Sequence, residues 1–127
     1  MPEPDLRGLS VVVVDDHEDT LDLYKIALEQ CGARVLIFTS AVAAGVAMRA
    51  YRPHVLVSSL SMWDDGYALL DTVRDVGIPA ITVTGRARPA DRERALAAGF
   101  KEYLVKPVDP VEVCRAVARL AGRAPAG

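Results

Sequence analysis

The sequence predicts a three-layer α/β/α sandwich around a five-stranded parallel sheet. Three observations carry the prediction. Five short apolar runs read as strands, and the first, four consecutive valines, is continuous rather than alternating, as a strand covered on both faces must be. Each is followed by a stretch with helical apolar spacing, and crossovers of that length bring consecutive strands back in parallel. Glycine or proline closes nearly every unit at the place where a helix must stop. Right-handed crossovers then distribute the helices over both faces of one sheet.

VVVVDD at 11–16 is four β-branched residues ending in acid and reads as a fully buried strand. Leu21, Tyr24, Ala27, Leu28 and Cys31 recur at helical spacing, and Gly32 stands where a left-handed residue ends such a helix. RVLIF at 34–38 is the second strand. Ser40 caps a helix whose inward face is read as Ala43, Val46, Ala47 and Ala50, and Pro53 prevents its continuation. HVLVSS at 54–59 is the third strand, LSMWDDG reads as a polar loop, and Leu69, Thr72, Val73 and Val76 mark a third helix ending at Gly77. PAITVT at 79–84 is the fourth strand. After GRARP a short helix runs from about Ala90 to Ala98, with Pro89 near its start and Gly99 just past its end. KEYLV at 101–105 is the fifth strand. Asp109, Pro110 and Glu112 supply a cap, a first-turn proline and a capping-box acid to a last helix with Val113, Ala116, Val117 and Leu120 on one face.

A chain of 127 residues is one domain, read as residues 1–122, with 123–127 as a tail or the start of a linker. Hydrophobic residues at 51 % and charged residues at 25 % exclude disorder. The net charge of −2 shows no basic block, so nothing argues for nucleic acid or an anionic membrane surface. No apolar run approaches the ~20 residues of a membrane span, and the N-terminus has no basic region leading into an apolar core. Cys31 and Cys114 lie far apart in the chain without a CxxC or a nearby histidine, which fits buried thiols in a reducing compartment. These features together place the expected protein in the cytoplasm.

In an open parallel sheet, ligands bind beyond the carboxyl ends of the strands. Those ends carry Asp15 and Asp16 on the first strand, Ser58 and Ser59 on the third, Thr84 on the fourth, and Lys106 with Pro107 on the fifth. Two carboxylates, three hydroxyls and one ammonium converge there. Paired carboxylates suit Mg²⁺, which prefers hard oxygen ligands and is completed by water and phosphate. A lysine and a threonine across the pocket suit phosphoryl oxygens.

VVVVDDHEDT, PHVLVSSLSMWDDGYALL and PAITVTGRARPADRERALAAGFKEYLVKPVDPVEV resemble the response-regulator receiver domain of two-component signalling, from about Leu9 to Leu120. The resemblance implies a flavodoxin-like (βα)5 fold. It also implies transfer of a phosphoryl group from a histidine kinase to an aspartate at the end of the third strand. By position, Asp15 and Asp16 resemble the metal-binding acids and the backbone carbonyl of Ser61 a further metal ligand. Thr84 resembles the switch hydroxyl, Tyr103 the switch aromatic and Lys106 the phosphate-contacting lysine, followed by a cis bond to Pro107. The aspartate itself is missing. Ser59 stands in its place, three residues before Met62; Trp63 stands where the family has proline, and one residue is absent before Asp65 and Gly66.

A carboxylate is already an anionic nucleophile at neutral pH, whereas a serine hydroxyl needs an adjacent base. Of the two histidines, His54 lies at the far end of the third strand and His17 follows the acidic pair. Neither reads as that base. The expectation is therefore a pseudo-receiver, not an enzyme, with Mg²⁺ binding weak or absent and Lys106 taking over part of the metal's charge. Its partner is expected to be a protein: a histidine kinase, a phosphotransfer domain or an output domain. The residues do not choose an oligomeric state. The alternative is a receiver that takes phosphate on Ser59, Ser58, Asp64 or Asp65. A third reading, a haloacid-dehalogenase-like phosphatase suggested by Asp16-His17-Glu18-Asp19-Thr20, fails because no acidic motif follows the lysine strand. Trp63 reads as a partner anchor or as filler for the shortened loop. Arg86, Arg88, Arg92, Glu93, Arg94 and Lys101 read as an output face or a solvated one.

Overall fold

The computed structural model describes residues 3–59 and 63–123, the side chains of 63–65 excepted. Strands β1 (Ser10–Val14), β2 (Arg34–Phe38), β3 (Val55–Ser58), β4 (Ala80–Thr84) and β5 (Glu102–Val105) alternate with helices α1 (Glu18–Gln30), α2 (Ala41–Tyr51), α3 (Trp63–Val76), α4 (Pro89–Ala98) and α5 (Pro110–Leu120). All four strand pairings are parallel, in the order β2-β1-β3-β4-β5. The expected sandwich with a flavodoxin-like sheet is therefore the observed one.

Strand alternation divides the core in two. Val11 and Val13 of β1, Val55 and Val57 of β3, and Ile81 and Val83 of β4 pack under α1 and α5, against Leu21, Tyr24, Leu28, Val113 and Val117. Val12, Val14, Leu56 and Ala80 face the other way, against Ala44 and Met48 of α2, Leu69, Leu70 and Val73 of α3, and Ala95 of α4. The valines of β1 are buried without exception, as a strand covered on both faces requires. Each such side chain contributes roughly 1.5–3 kcal/mol of transfer free energy.

The element ends follow their local chemistry. Ser40 Oγ accepts from Ala43 N at 3.1 Å and caps α2. Gly32 (φ 102°), Gly77 (φ 79°) and Gly99 (φ 130°) follow α1, α3 and α4 with backbones that a side chain would strain. At Gly32 an added Cβ would also lie 2.5 Å from Arg7 Cγ. Asp109 caps α5 by accepting from Val111 N at 2.9 Å.

Three expectations need correction. First, WDDG is not loop: α3 begins at Trp63, so the polar segment supplies the first turn and Gly66 lies inside the helix. Second, the buried face of α2 is Ala44, Gly45, Ala47 and Met48, while Val46 is 65 % exposed and Ala43 and Ala50 are exposed. AVAAGVAM is apolar nearly all round, so its periodicity selects no side. Third, the carboxylate of Glu112 pairs with Arg115 instead of closing a capping box.

Arg123, expected in the tail, donates its backbone N to Ala118 O and its guanidinium to Arg7 O, both at 2.8 Å. The remaining tail residues, 124–127, lie outside the described residues. Among the described residues no helix is long and apolar enough to cross a membrane.

Candidate functional site

Asp15 and Ser59 each follow a central strand directly, and Ser59 N donates to Val14 O at 2.7 Å, which sets the two side by side. Alternation places both on the α1/α5 face, since Val13 and Val57 belong to that core. Both are fully buried. Asp15 Oδ2 and Ser59 Oγ have no hydrogen-bond partner, an exception that a buried polar atom rarely makes.

Lys106 reaches back from the end of β5. Its Nζ lies 3.6 Å from Asp15 Oδ2, with the lysine side chain 32 % exposed. Opposite charges at this separation attract by roughly 4–5 kcal/mol at an effective dielectric near 20, before desolvation is subtracted. The Lys106–Pro107 bond is cis.

The other oxygen of Asp15 looks toward His17. Asp15 Oδ1 accepts from His17 N at 2.8 Å and lies 3.2 Å from His17 Nδ1. Asp16 Oδ1 is 3.4 Å from the same nitrogen. Asp16 and His17 are exposed, Asp15 is not.

Thr84 and Tyr103 form a second group on the opposite face. Thr84 Oγ1 accepts from Arg86 N at 3.2 Å, and the Tyr103 hydroxyl donates to the Arg86 carbonyl. Partial burial pushes the Tyr103 phenol up, the negative charge of Asp91 adding to it and Arg86 opposing it. Arg94, from the expected charged face, sets its guanidinium 5.3 Å from the centroid of the Tyr67 ring.

The structure thus brings Asp15, Ser59 and Lys106 together and groups Thr84 with Tyr103. Ser58 points elsewhere: its Oγ is 3.8 Å from where a Cβ on Gly66 would stand, under α3. Ser61 and Met62 lie outside the described residues, as do the side chains of Trp63, Asp64 and Asp65. His54, at the far end of β3, accepts on Nδ1 from Ser10 N at 3.0 Å.

Three neighbours escaped the sequence reading as site residues. Tyr24, a buried residue of α1, sets its phenol beside Ser59 short of a formed hydrogen bond; burial raises its pKa, the Ser59 hydroxyl pulls it down and the charge of Asp15 adds to the rise. Its signal was a polar-tipped ring on the inward stripe of a helix. Arg86 meets Thr84 and Tyr103 through main-chain atoms, for which residue type carries no signal. His17 was legible only as the residue after the acids.

The family model of the response regulator receiver domain matches residues 11–118. An uncharacterized 14.6 kDa protein from Leptolyngbya boryana is 41 % identical over 117 residues, covering 88 % of this chain and 89 % of that one. The transcriptional regulatory protein YvrH of Bacillus subtilis is 28 % identical over 85 % of this chain, which spans 47 % of YvrH. A solved receiver domain of the sensor histidine kinase PA1611 from Pseudomonas aeruginosa, with a magnesium ion coordinated in its active-site cleft, superposes with a TM-score of 0.79 at 26 % identity, covering 91 % of this chain and 98 % of that one. Receiver domains are signalling modules of two-component systems that interact with histidine kinases and output domains and typically bind Mg²⁺ at their acidic site. With a family model covering most of its length and the flavodoxin-like sheet in place, this chain belongs to the response regulator receiver domain family.

Proposed function

We propose that this chain is a receiver-fold interaction module whose state is set by a protein partner rather than by aspartyl phosphorylation. One observation carries the reading: Ser59 stands, fully buried, where the family's strand-end aspartate belongs. Its hydroxyl has no hydrogen bond to a base that would take its proton. The polar groups beside it are a carboxylate already facing Lys106 and a phenol whose pKa burial raises.

Mg²⁺ fits this donor set poorly. Asp15 and Asp16 remain, but Ser59 supplies a neutral hydroxyl in place of a third carboxylate, and Mg²⁺ gives up water reluctantly. Lys106 compensates Asp15 directly at 3.6 Å, the charge role that the lost metal site leaves open. The partners supported are a histidine kinase, a phosphotransfer domain or an output domain. The single domain is read as residues 1–122 with a short tail.

The test is incubation with acetyl phosphate and Mg²⁺, followed by intact mass and hydroxylamine treatment. No adduct is expected. A hydroxylamine-labile adduct would assign the acceptor to a carboxylate such as Asp64 or Asp65, and a stable one to Ser59; either overturns the reading. Ser59→Asp alone is expected to label weakly. Ser59→Asp with one residue added to the β3–α3 connection and Trp63→Pro is expected to label substantially, because misplacement of about 1 Å costs such chemistry on the order of 10²-fold.

A further inference from the structure

We propose that the outer face of α2, together with the groove it forms against α3, is a two-fold interface between two copies of this chain.

The solvent side of α2 is apolar. Its exposed residues are Val42, Ala43, Val46, Arg49, Ala50 and Tyr51, and only Arg49 among them is charged. Val42 is 80 % exposed and Val46 65 %, on a helix whose other side already fills the core with Ala44 and Met48. A solvent-facing helix of this same fold looks different: α4 turns Arg92, Glu93 and Arg94 outward. A helix that is apolar on both sides is one that is covered on both sides.

The groove makes this face complementary to itself. Val42 and Val46, one turn apart, form a ridge of the kind that packs into a groove on a facing helix. Beside the ridge, a hollow of about 240 Å³ opens between Gly45 of α2 and Ala68 and Leu69 of α3. Neither backbone nor packing requires a glycine there. Gly45 has no positive φ, and a Cβ on it would meet Thr72 Oγ1 at 3.6 Å and Leu69 Cδ2 at 3.8 Å, ordinary contact distances. A glycine inside a helix weakens that helix, and here it keeps the hollow open. Ridge and hollow share one patch, as an isologous interface demands: when the ridge of one copy enters the hollow of the other, the reverse contact comes with it.

Charge selects the same occupant. Arg49 at the groove holds Asp75 of α3 at 3.0 Å, and Arg74 on the outside of α3 pairs with Asp71. Both signs are balanced around the patch, so a strongly acidic or basic partner meets no field of one sign. A second copy brings the same balanced set, and α2 carries no acid to repel its own image.

The patch lies on the sheet face opposite Ser59, so the proposal stands whether or not the chain accepts a phosphoryl group. Tag-free full-length protein is followed by sedimentation equilibrium from micromolar to millimolar concentration. The expected result is a reversible equilibrium that stops at the dimer. Val46→Glu, an exposed change, is expected to weaken the dimer at least tenfold with an unchanged urea midpoint, measured where the chain is monomeric. Gly45→Ala is expected to weaken the dimer while raising that midpoint, since alanine favours the helix and fills the hollow. Leu23→Glu, which charges an exposed apolar position of α1, is expected to dimerise as the parent does. A chain that stays monomeric throughout leaves the face to a different protein and overturns the proposal. Association beyond the dimer, undiminished dimerisation in Val46→Glu or Gly45→Ala, or loss in Leu23→Glu would overturn it as well.

Discussion

On the α1/α5 side of the strand ends, Asp15 Oδ2 and Ser59 Oγ are buried without a hydrogen bond, and a lysine supplies compensation from 3.6 Å. On the opposite side, Thr84 and Tyr103 both bond to main-chain atoms of Arg86, and neither hydroxyl is left over. The first group carries a buried charge whose stability depends on a cation. The second is closed by neutral, local hydrogen bonds. Ser59, which the sequence reading sets at the family's acceptor position, belongs to the first group, while Thr84 and Tyr103 make up the second. On the reading proposed above, the second group holds together through contacts that need no phosphate.

The largest test of this contrast is Lys106→Met. It strands the fully buried Asp15 carboxylate and is expected to cost about 2–3 kcal/mol, less than breaking a wholly buried pair because the lysine is partly solvated. The double variant Asp15→Asn with Lys106→Met should recover most of that loss in urea denaturation. Ser59→Asp places a second carboxylate beside Asp15 and is expected to cost about 1–2 kcal/mol without a divalent ion, with saturating Mg²⁺ restoring the midpoint.

The core beneath the first group provides a pH test. Burial pushes the Cys114 thiol up to about 12, with the neighbouring Cys31 and then Glu3 adding to the rise. A thiol whose folded pKa is raised contributes stability that is complete below its unfolded value near 9 and is lost as pH climbs toward 12. Stability should fall by about 1 kcal/mol between pH 8 and pH 10 on this account, and Cys114→Ala should flatten that slope. The smallest effect belongs to the second group. Tyr103→Phe removes one neutral hydrogen bond and is expected to cost about 0.5–1 kcal/mol, independent of divalent ion. Equal ion dependence in Tyr103→Phe and Ser59→Asp would erase the distinction between the two groups.

The strands were legible because β1, β3 and β4 are continuous apolar runs, and the residues at their ends could be read off directly. The order β2-β1-β3-β4-β5 came with the family resemblance, since periodicity says nothing about which strands are neighbours. The start of α3 was not legible: Asp64, Asp65 and Gly66 are turn formers by propensity, and the structure folds them as helix. The inward face of α2 failed for the opposite reason, a helix too uniformly apolar to show a stripe. Cys31 and Cys114 meet where the end of α1 packs on α5, a proximity that distant sequence positions do not disclose. Within the site, the acids, Ser59 and Lys106 were readable as strand ends, but the unmet hydrogen bonds of Asp15 and Ser59 depend on three-dimensional neighbours.

Lys106 N donates to Thr84 O at 2.7 Å, one step past the last ladder pair, Thr84 with Val105. The two groups therefore share a single main-chain rivet, although their side chains leave the sheet on opposite sides. Motion of the lysine ammonium alone is absorbed by its four methylenes and never reaches the threonine. Only a shift of the β5 backbone carries across, and it must stretch this one bond. The Lys106 amide is accordingly a built-in clock: its rate of deuterium uptake times how often the two sides part company, with or without a partner bound.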